Sequence, residues 1–373
     1  MALSPETLSL IINPPSPQTA VIPEFRIRTR IDDFQVEEIP SYQPSGSGEH
    51  AWLWIEKRGL SSPELVHRLS KHLTVPSKDI GLAGQKDRHA VTRQFVSIPK
   101  RFAEHAEKLN SVDLSVLMVT AHVNKLRTGH LKGNQFRLVL RHPTGTFTET
   151  TAAQISERLT QLVSTGLPNY FGPQRFGHDG NTLADGLRAL KGRLPQDHWP
   201  ENHFRTLRRL ALSAVQSAVF NLVLSERVTA GTFAAARPGD VVIRREGIKP
   251  YLLPDGADAS GVVPAGPMPG PEMLAATGEI AAMEQTALER IGLTSKDFER
   301  FSKLTSGVRR KMVEYPVDVG ACLTEDSAIE VCFTLSAGTY ATVVLQNLAT
   351  IVTDAAAHEV VSASAADETE DEA

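Results

Sequence analysis

Residues 207–228 are apolar on most sides of a helical wheel. A helix of that kind cannot face water, so other elements must wrap it. The block from 166 to 315 supplies them. It is largely apolar and helical, with strand-and-loop segments dense in Pro and Gly at 238–243 and 249–271. Residues 271–291 read as a further helix, with Pro271 at its start and Glu272 in its first turn. At 373 residues the chain is long for one core, which predicts two domains.

Before that block the pattern is strand-rich. Residues 1–22 are rich in Pro and Ser, lack periodicity and read as an irregular arm. Phe25-Arg-Ile-Arg-Thr-Arg-Ile31 alternates with period two, which predicts a strand with Arg26, Arg28 and Arg30 on one face. Such a row either protects an exposed edge or meets anions, phosphate or carboxylate. Ala51-Trp-Leu-Trp-Ile-Glu56 is strand-like. Ser62 and Pro63 make an N-cap and first-turn pair for a helix with Leu65, Val66, Leu69 and Leu73 on one face.

That helix leads into Gly81-Leu-Ala-Gly-Gln-Lys-Asp-Arg-His-Ala-Val-Thr-Arg-Gln-Phe-Val-Ser-Ile98, a glycine-containing loop followed by a β-branched strand. Asp87 sits at the loop exit between the cations Lys86 and Arg88. A carboxylate on a rigid loop can act as a nucleophile, although a solvated turn has the same composition. Residues 125–140 give a basic turn and then a strand. Residues 151–163 read as a helix that turns Ala152, Ile155, Leu159 and Leu162 inward, with Gly166 as its stop. After the helical block, 313–323 and 328–335 return to strands, and 343–352 read as a closing helix.

The net charge of -4 conceals an asymmetry. From 354 to 373 there are seven acids and no Lys or Arg; without them 39 cations face 36 anions, leaving the body at +3. The acidic, Ala- and Ser-rich end reads as a disordered tail. Cys322 and Cys332 fit no metal spacing and read as free, buried thiols of a reducing compartment. Residues 1–15 lack a basic n-region and no apolar run reads as a membrane span, so the expectation is a cytoplasmic protein with no membrane partner.

Six stretches together resemble the TruD family of tRNA pseudouridine synthases over roughly residues 25–350. They are Asp33-Phe-Gln-Val-Glu-Glu38; Ala83-Gly-Gln-Lys-Asp-Arg-His-Ala-Val-Thr92; Gly133-Asn-Gln-Phe136; Asn169-Tyr-Phe-Gly-Pro-Gln-Arg-Phe-Gly177; Leu212-Ser-Ala-Val-Gln-Ser-Ala-Val-Phe-Asn221; and Leu335-Ser-Ala-Gly-Thr-Tyr-Ala-Thr342, where Ser336 replaces the usual proline. The resemblance implies an α+β pseudouridine synthase fold around a mixed, largely antiparallel sheet. Catalytic-domain segments 1–165 and 316–353 would flank an inserted, mainly helical domain at 166–315, with the tail from 354.

It further implies that Asp87 is the nucleophile and Arg28 its basic partner. Phe34, Asn134, Phe136, Tyr340 and Lys86 would bind substrate, with Phe34 and Tyr340 contacting the base. The aromatics of the Asn169–Gly177 stretch read as packing residues. The implied reaction converts uridine, at position 13 of the tRNA D arm, to pseudouridine. It involves no redox change, so no cofactor and no metal are expected. The implied partner is tRNA, and a well-mixed surface together with family precedent points to a monomer.

Overall fold

The computed structural model describes residues 3–17, 19–195, 197–201 and 203–356. The expected acidic tail therefore lies, from residue 357 onward, outside the described residues. The chain forms two compact units: residues 20–164, 316–341 and those from 348 make one, and residues 1–19, 165–315 and 342–347 make the other.

The first unit is built on strands β1 (Ile22–Ile27), β2 (Phe34–Pro40), β3 (His50–Arg58), β4 (Gly81–Leu82), β5 (Val91–Pro99), β6 (Leu114–His122), β7 (Leu131–Leu140), β8 (Val317–Leu323), β9 (Ile329–Ser336) and β10 (Ala349–Asp354). The main sheet has the order β8-β9-β7-β2-β5-β3-β6, with β4 added beside β5. Only the β2–β5 pair is parallel; the others are antiparallel. This is the mixed, largely antiparallel α+β arrangement expected. A separate parallel ribbon, β1 with β10, joins the sheet through a bridge between Arg26 and Arg141.

Period-two alternation explains the sheet's packed face. Leu53 and Ile55 of β3 and Val96 and Ile98 of β5 meet Leu65, Leu69 and Leu73 of the helix Ser62–Leu73. Each such side chain contributes roughly 1.5–3 kcal/mol by leaving water. The N-cap is Ser61 rather than Ser62: its hydroxyl accepts from the Glu64 backbone N–H while the Glu64 carboxylate accepts from the Ser61 N–H, a closed capping box. The second helix, Glu149–Thr165, buries the four residues its spacing selected, Ala152, Ile155, Leu159 and Leu162.

Several local expectations are corrected. The N-terminal arm contains a helix, Pro5–Ile12, capped by Ser4, and it belongs to the second unit rather than to the catalytic segment 1–165. The closing helix stops at Leu345, and residues 349–354 are strand, because β-branched Thr350, Ile351, Val352 and Thr353 find a pairing partner in β1. Asp354 is thus ordered at a strand end and not part of a tail. Strand β1 ends at Ile27, so Arg26, Arg28 and Arg30 do not share a face. The cysteines are free, but Cys322 is exposed and Cys332 half-buried, because on β9 the packed face is taken by Val331, Phe333 and Leu335.

In the second unit the helix Phe204–Thr229 is the centre, buried almost continuously from Ala211 to Ser225. By length and composition it could cross a membrane, contrary to the sequence reading, yet 72% of its most apolar window is buried inside the protein. It is a core helix. The Asn221 amide donates to the carbonyls of Ile11 and Phe171 and its oxygen accepts from the Phe171 N–H, which ties two chain segments to the core. Tyr170, Phe171 and Phe176 are all buried, the packing role expected of them. The helix expected at 271–291 begins only at Gly278.

Candidate active site

Strand register gathers the site on the packed face of the main sheet. One row across it is Lys57, Thr92, Val36, Phe136 and Phe333; in the next, Glu38 lies beside Asn134 and Asn134 beside Leu335. Where the apolar core ends, this face turns polar. Gly133 is required because a Cβ there would lie 2.4 Å from the Leu335 carbonyl oxygen, so β7 and β9 meet closely where Asn134 is presented. The turn carrying Tyr340 follows directly from the end of β9, and the Ala337 N–H pins it to the Lys132 carbonyl.

The loop before β5 is held from three sides. Gly81 has an ordinary backbone conformation but no room for a side chain, since a Cβ would come within 2.4 Å of the Leu126 carbonyl and the Ser97 hydroxyl. The Ser62 hydroxyl accepts the Lys86 N–H at 3.0 Å. Lys57, 0% exposed on β3, donates its ammonium to the carbonyls of Leu60 and Asp87, the latter at 2.8 Å. Burial pulls the Lys57 ammonium down to about 8, against the opposing pull of the Asp87 charge. The backbone of Asp87 is therefore fixed from below while its carboxylate remains 45% exposed.

Lys86 turns inward. Its ammonium lies 3.3 Å from Glu38 and 2.5 Å from the side-chain oxygen of Asn134. Burial lowers the Lys86 pKa and raises that of Glu38, and each charge opposes the shift of the other. An ammonium only donates, so the Asn134 oxygen must accept, and its two N–H groups remain for another acceptor.

Arg28 approaches from the end of β1. Its guanidinium lies 3.3 Å from the Asp87 carboxylate, 2.5 Å from Asp354 and 3.9 Å above the centre of the Phe34 ring. The backbone there has φ 56°, a left-handed conformation that costs a non-glycine residue roughly 1–2 kcal/mol. Buried Asp33 stabilises the following turn, accepting from the Arg30 N–H and from two nitrogens of Arg141.

The structure thus brings Arg28, Lys86, Asp87 and Asn134 together, with Tyr340 on the adjoining turn. Phe34, expected to contact the base, and Phe136, expected to bind substrate, both lie buried beneath these groups. They are 2% and 6% exposed, Arg28 covers Phe34, and Phe136 packs edge-on to Phe34 and stacks on Phe333. Their rings are the apolar floor of the site. Sequence reasoning assigned no role to Lys57, Glu38 or Asp354. The first two carry a readable signal, a charge on the core face of an alternating strand (Leu53, Ile55, Lys57; Phe34, Val36, Glu38). Asp354 carries none. Among the described residues no group of three or more His, Cys, Asp or Glu side chains is arranged to hold a metal ion.

Comparison with known proteins agrees along most of the length. The family model described as tRNA pseudouridine synthase D (TruD) matches residues 23–196 and 202–348. Proteins named tRNA pseudouridine synthase D are 38% identical in Anaeromyxobacter sp. strain Fw109-5, covering 86% of this chain and 91% of that one, and 34% identical in Thermus thermophilus, covering 86% and 88%. The one from Methylococcus capsulatus is 37% identical, covering 87% and 90%. A crystal structure from Methanosarcina mazei, described as a candidate TruD protein, superposes with a TM-score of 0.73 at 24% identity, covering 94% of this chain and 99% of that one, and shares the fold. With a matching family model over most of its length and relatives well above 30% identity, this chain belongs to the tRNA pseudouridine synthase D family, and is an isomerase of the pseudouridine synthase class.

Proposed function

We propose that the protein isomerises uridine to pseudouridine in tRNA, at position 13 of the D arm, with Asp87 as nucleophile. The observation that carries this reading is the asymmetric mounting of Asp87: backbone clamped by a buried lysine, carboxylate open to a substrate and an arginine beside it. A uridine in folded RNA must leave its stack to meet such a group, at a cost of a few kcal/mol that new contacts must offset. Tyr340 supplies a ring on which a base can stack, a contribution of about 1–3 kcal/mol. Asn134, turned by Lys86, offers N–H donors to a uracil carbonyl, whereas cytosine presents an amine at position 4 and loses that pairing.

Asp87 attacks the flipped nucleotide, the bond between N1 and C1′ breaks, the base turns, and C5 bonds to C1′. The proton on C5 leaves to water, N1 gains one, and the carboxylate is released unchanged. Arg28, 3.3 Å away, aims the Asp87 carboxylate. Phe34 supports Arg28 from below through its ring face. The reaction needs no electron carrier, and it fits a protein working in the cytoplasm as a monomer.

The test is tRNA labelled with tritium at C5 of uridine. Wild-type protein releases tritium to water and leaves the chain intact; Asp87→Asn binds the RNA without release. Release by Asp87→Asn near the wild-type rate would remove Asp87 from the nucleophile's role, and abasic sites in place of pseudouridine would make the enzyme a glycosidase.

A further inference from the structure

Arg28 serves two carboxylates unequally. Its Nη1 donates to Asp354 Oδ2 at 2.5 Å, while its Nη2 stands 3.3 Å from Asp87 Oδ2. The tighter partner is therefore not the exposed acid of the loop but the last residue of β10. Asp354 is itself held: its other oxygen accepts the Ala356 N–H at 3.2 Å, and its backbone is in register with Ile27, the residue before Arg28. The parallel pairing of β1 with β10 thus delivers arginine and aspartate to the same end of one ribbon.

A guanidinium has a planar fork that matches a carboxylate at two points, and an unopposed arginine beside Asp87 would close on it in that bidentate fashion. That would immobilise both oxygens of a group that has to attack. Asp354 occupies Nη1 and so closes the end-on Nη1–Nη2 fork to Asp87. The left-handed backbone at Arg28 is consistent with a residue held in place by its surroundings, since such a conformation persists only where neighbours over-determine it.

We propose that Asp354 is a positioning residue for the isomerisation: by engaging Nη1 of Arg28 and fixing its plane over Phe34, it leaves Asp87 a single, longer contact and a free oxygen. The acid acts through Arg28 and touches no substrate. This rests on the reading of Asp87 as nucleophile, and the experiment separates the two.

Asp354→Asn, Asp354→Glu, Arg28→Ala and the double variant Arg28→Ala/Asp354→Asn are assayed by tritium release under steady-state and single-turnover conditions, with Asp87→Asn as reference. Asp354→Asn is expected to lower kcat about tenfold with KM unchanged within about twofold, the size of effect a misaimed catalytic group produces. Asp354→Glu restores part of the loss. In the Arg28→Ala background Asp354→Asn has no further effect, because residues acting through one contact are not additive. An equal loss in both backgrounds, a loss confined to KM, or no loss would overturn the proposal; the first is what a purely structural role for β10 produces, and thermal midpoints of all variants report it directly. If Asp87→Asn itself turns over, the nucleophile assignment fails instead, whatever Asp354 does.

Discussion

Lys86 donates to the side-chain oxygen of Asn134 at 2.5 Å, and this contact sets which edge of the asparagine faces outward. Asn134→Ala removes the outward N–H donors without altering charge. One or two lost hydrogen bonds to a base correspond to about 1–3 kcal/mol, so kcat/KM for tritium release should fall roughly 10- to 100-fold. Lys86→Met should produce a loss of the same order, since an unanchored amide presents its oxygen as readily as its nitrogen. Unchanged rates in both variants would detach Asn134 from the substrate.

The same lysine pairs with Glu38, whose side chain is 1% exposed against 5% for Lys86. Glu38→Gln leaves a buried ammonium without its counter-charge. Breaking a buried pair in this way costs about 3–5 kcal/mol, whereas removing both partners is far less damaging. Denaturant unfolding should therefore find Glu38→Gln severely destabilised and Glu38→Gln/Lys86→Met closer to wild type. Equal or additive losses would mean that the two charges are solvated independently.

Much of this site was legible in the sequence because its residue types are unusual in their settings. Asp87 between two cations after Gly84, Asn134 after Gly133 and the aromatic of the 335–342 stretch stand out, and period-two alternation placed the strands that hold them. What could not be read is adjacency across the sheet. That Glu38 lies beside Asn134 and Asn134 beside Leu335 is a matter of register between strands far apart in the chain, and a slip of one residue would send each side chain to the other face. The three arginines after Phe25 show the opposite limit. Alternation put them on one face, but pairing with β10 ends at Ile27, and the left-handed Arg28 breaks the pattern that the composition suggested.

Gly186 tests the packing of the second unit. It lies in the helix Asn181–Leu190, and a Cβ there would come within 2.2 Å of the Ala211 carbonyl on the central helix and 2.6 Å of Val215. Helix propensity favours alanine over glycine by about 1 kcal/mol. The clash is with backbone, which cannot turn aside, and overpacking of this kind costs about 1–3 kcal/mol. Gly186→Ala should therefore lower the thermal midpoint. A rise would show that the two helices can separate at no cost.

Lys57 links the stability of the site to pH. Its ammonium titrates at about 8 in the folded protein, below the ordinary 10.5, because burial disfavours the charge. Between those two values the unfolded chain holds a proton that the folded chain has released, so stability rises with pH across the window. Below about pH 8 both states are protonated, and the full cost of burying the charge is present. Lys57→Met lacks this titration, and it also strips the carbonyls of Leu60 and Asp87 of their donor. The difference in unfolding free energy, wild type minus variant, should be flat from about pH 6 to about 7.5 and then grow in favour of wild type towards about pH 10. Urea titrations at several pH values measure it directly. A difference that shrinks over the alkaline range would mean that Lys57 stays charged in the folded state, held by the Asp87 carboxylate more strongly than burial opposes it.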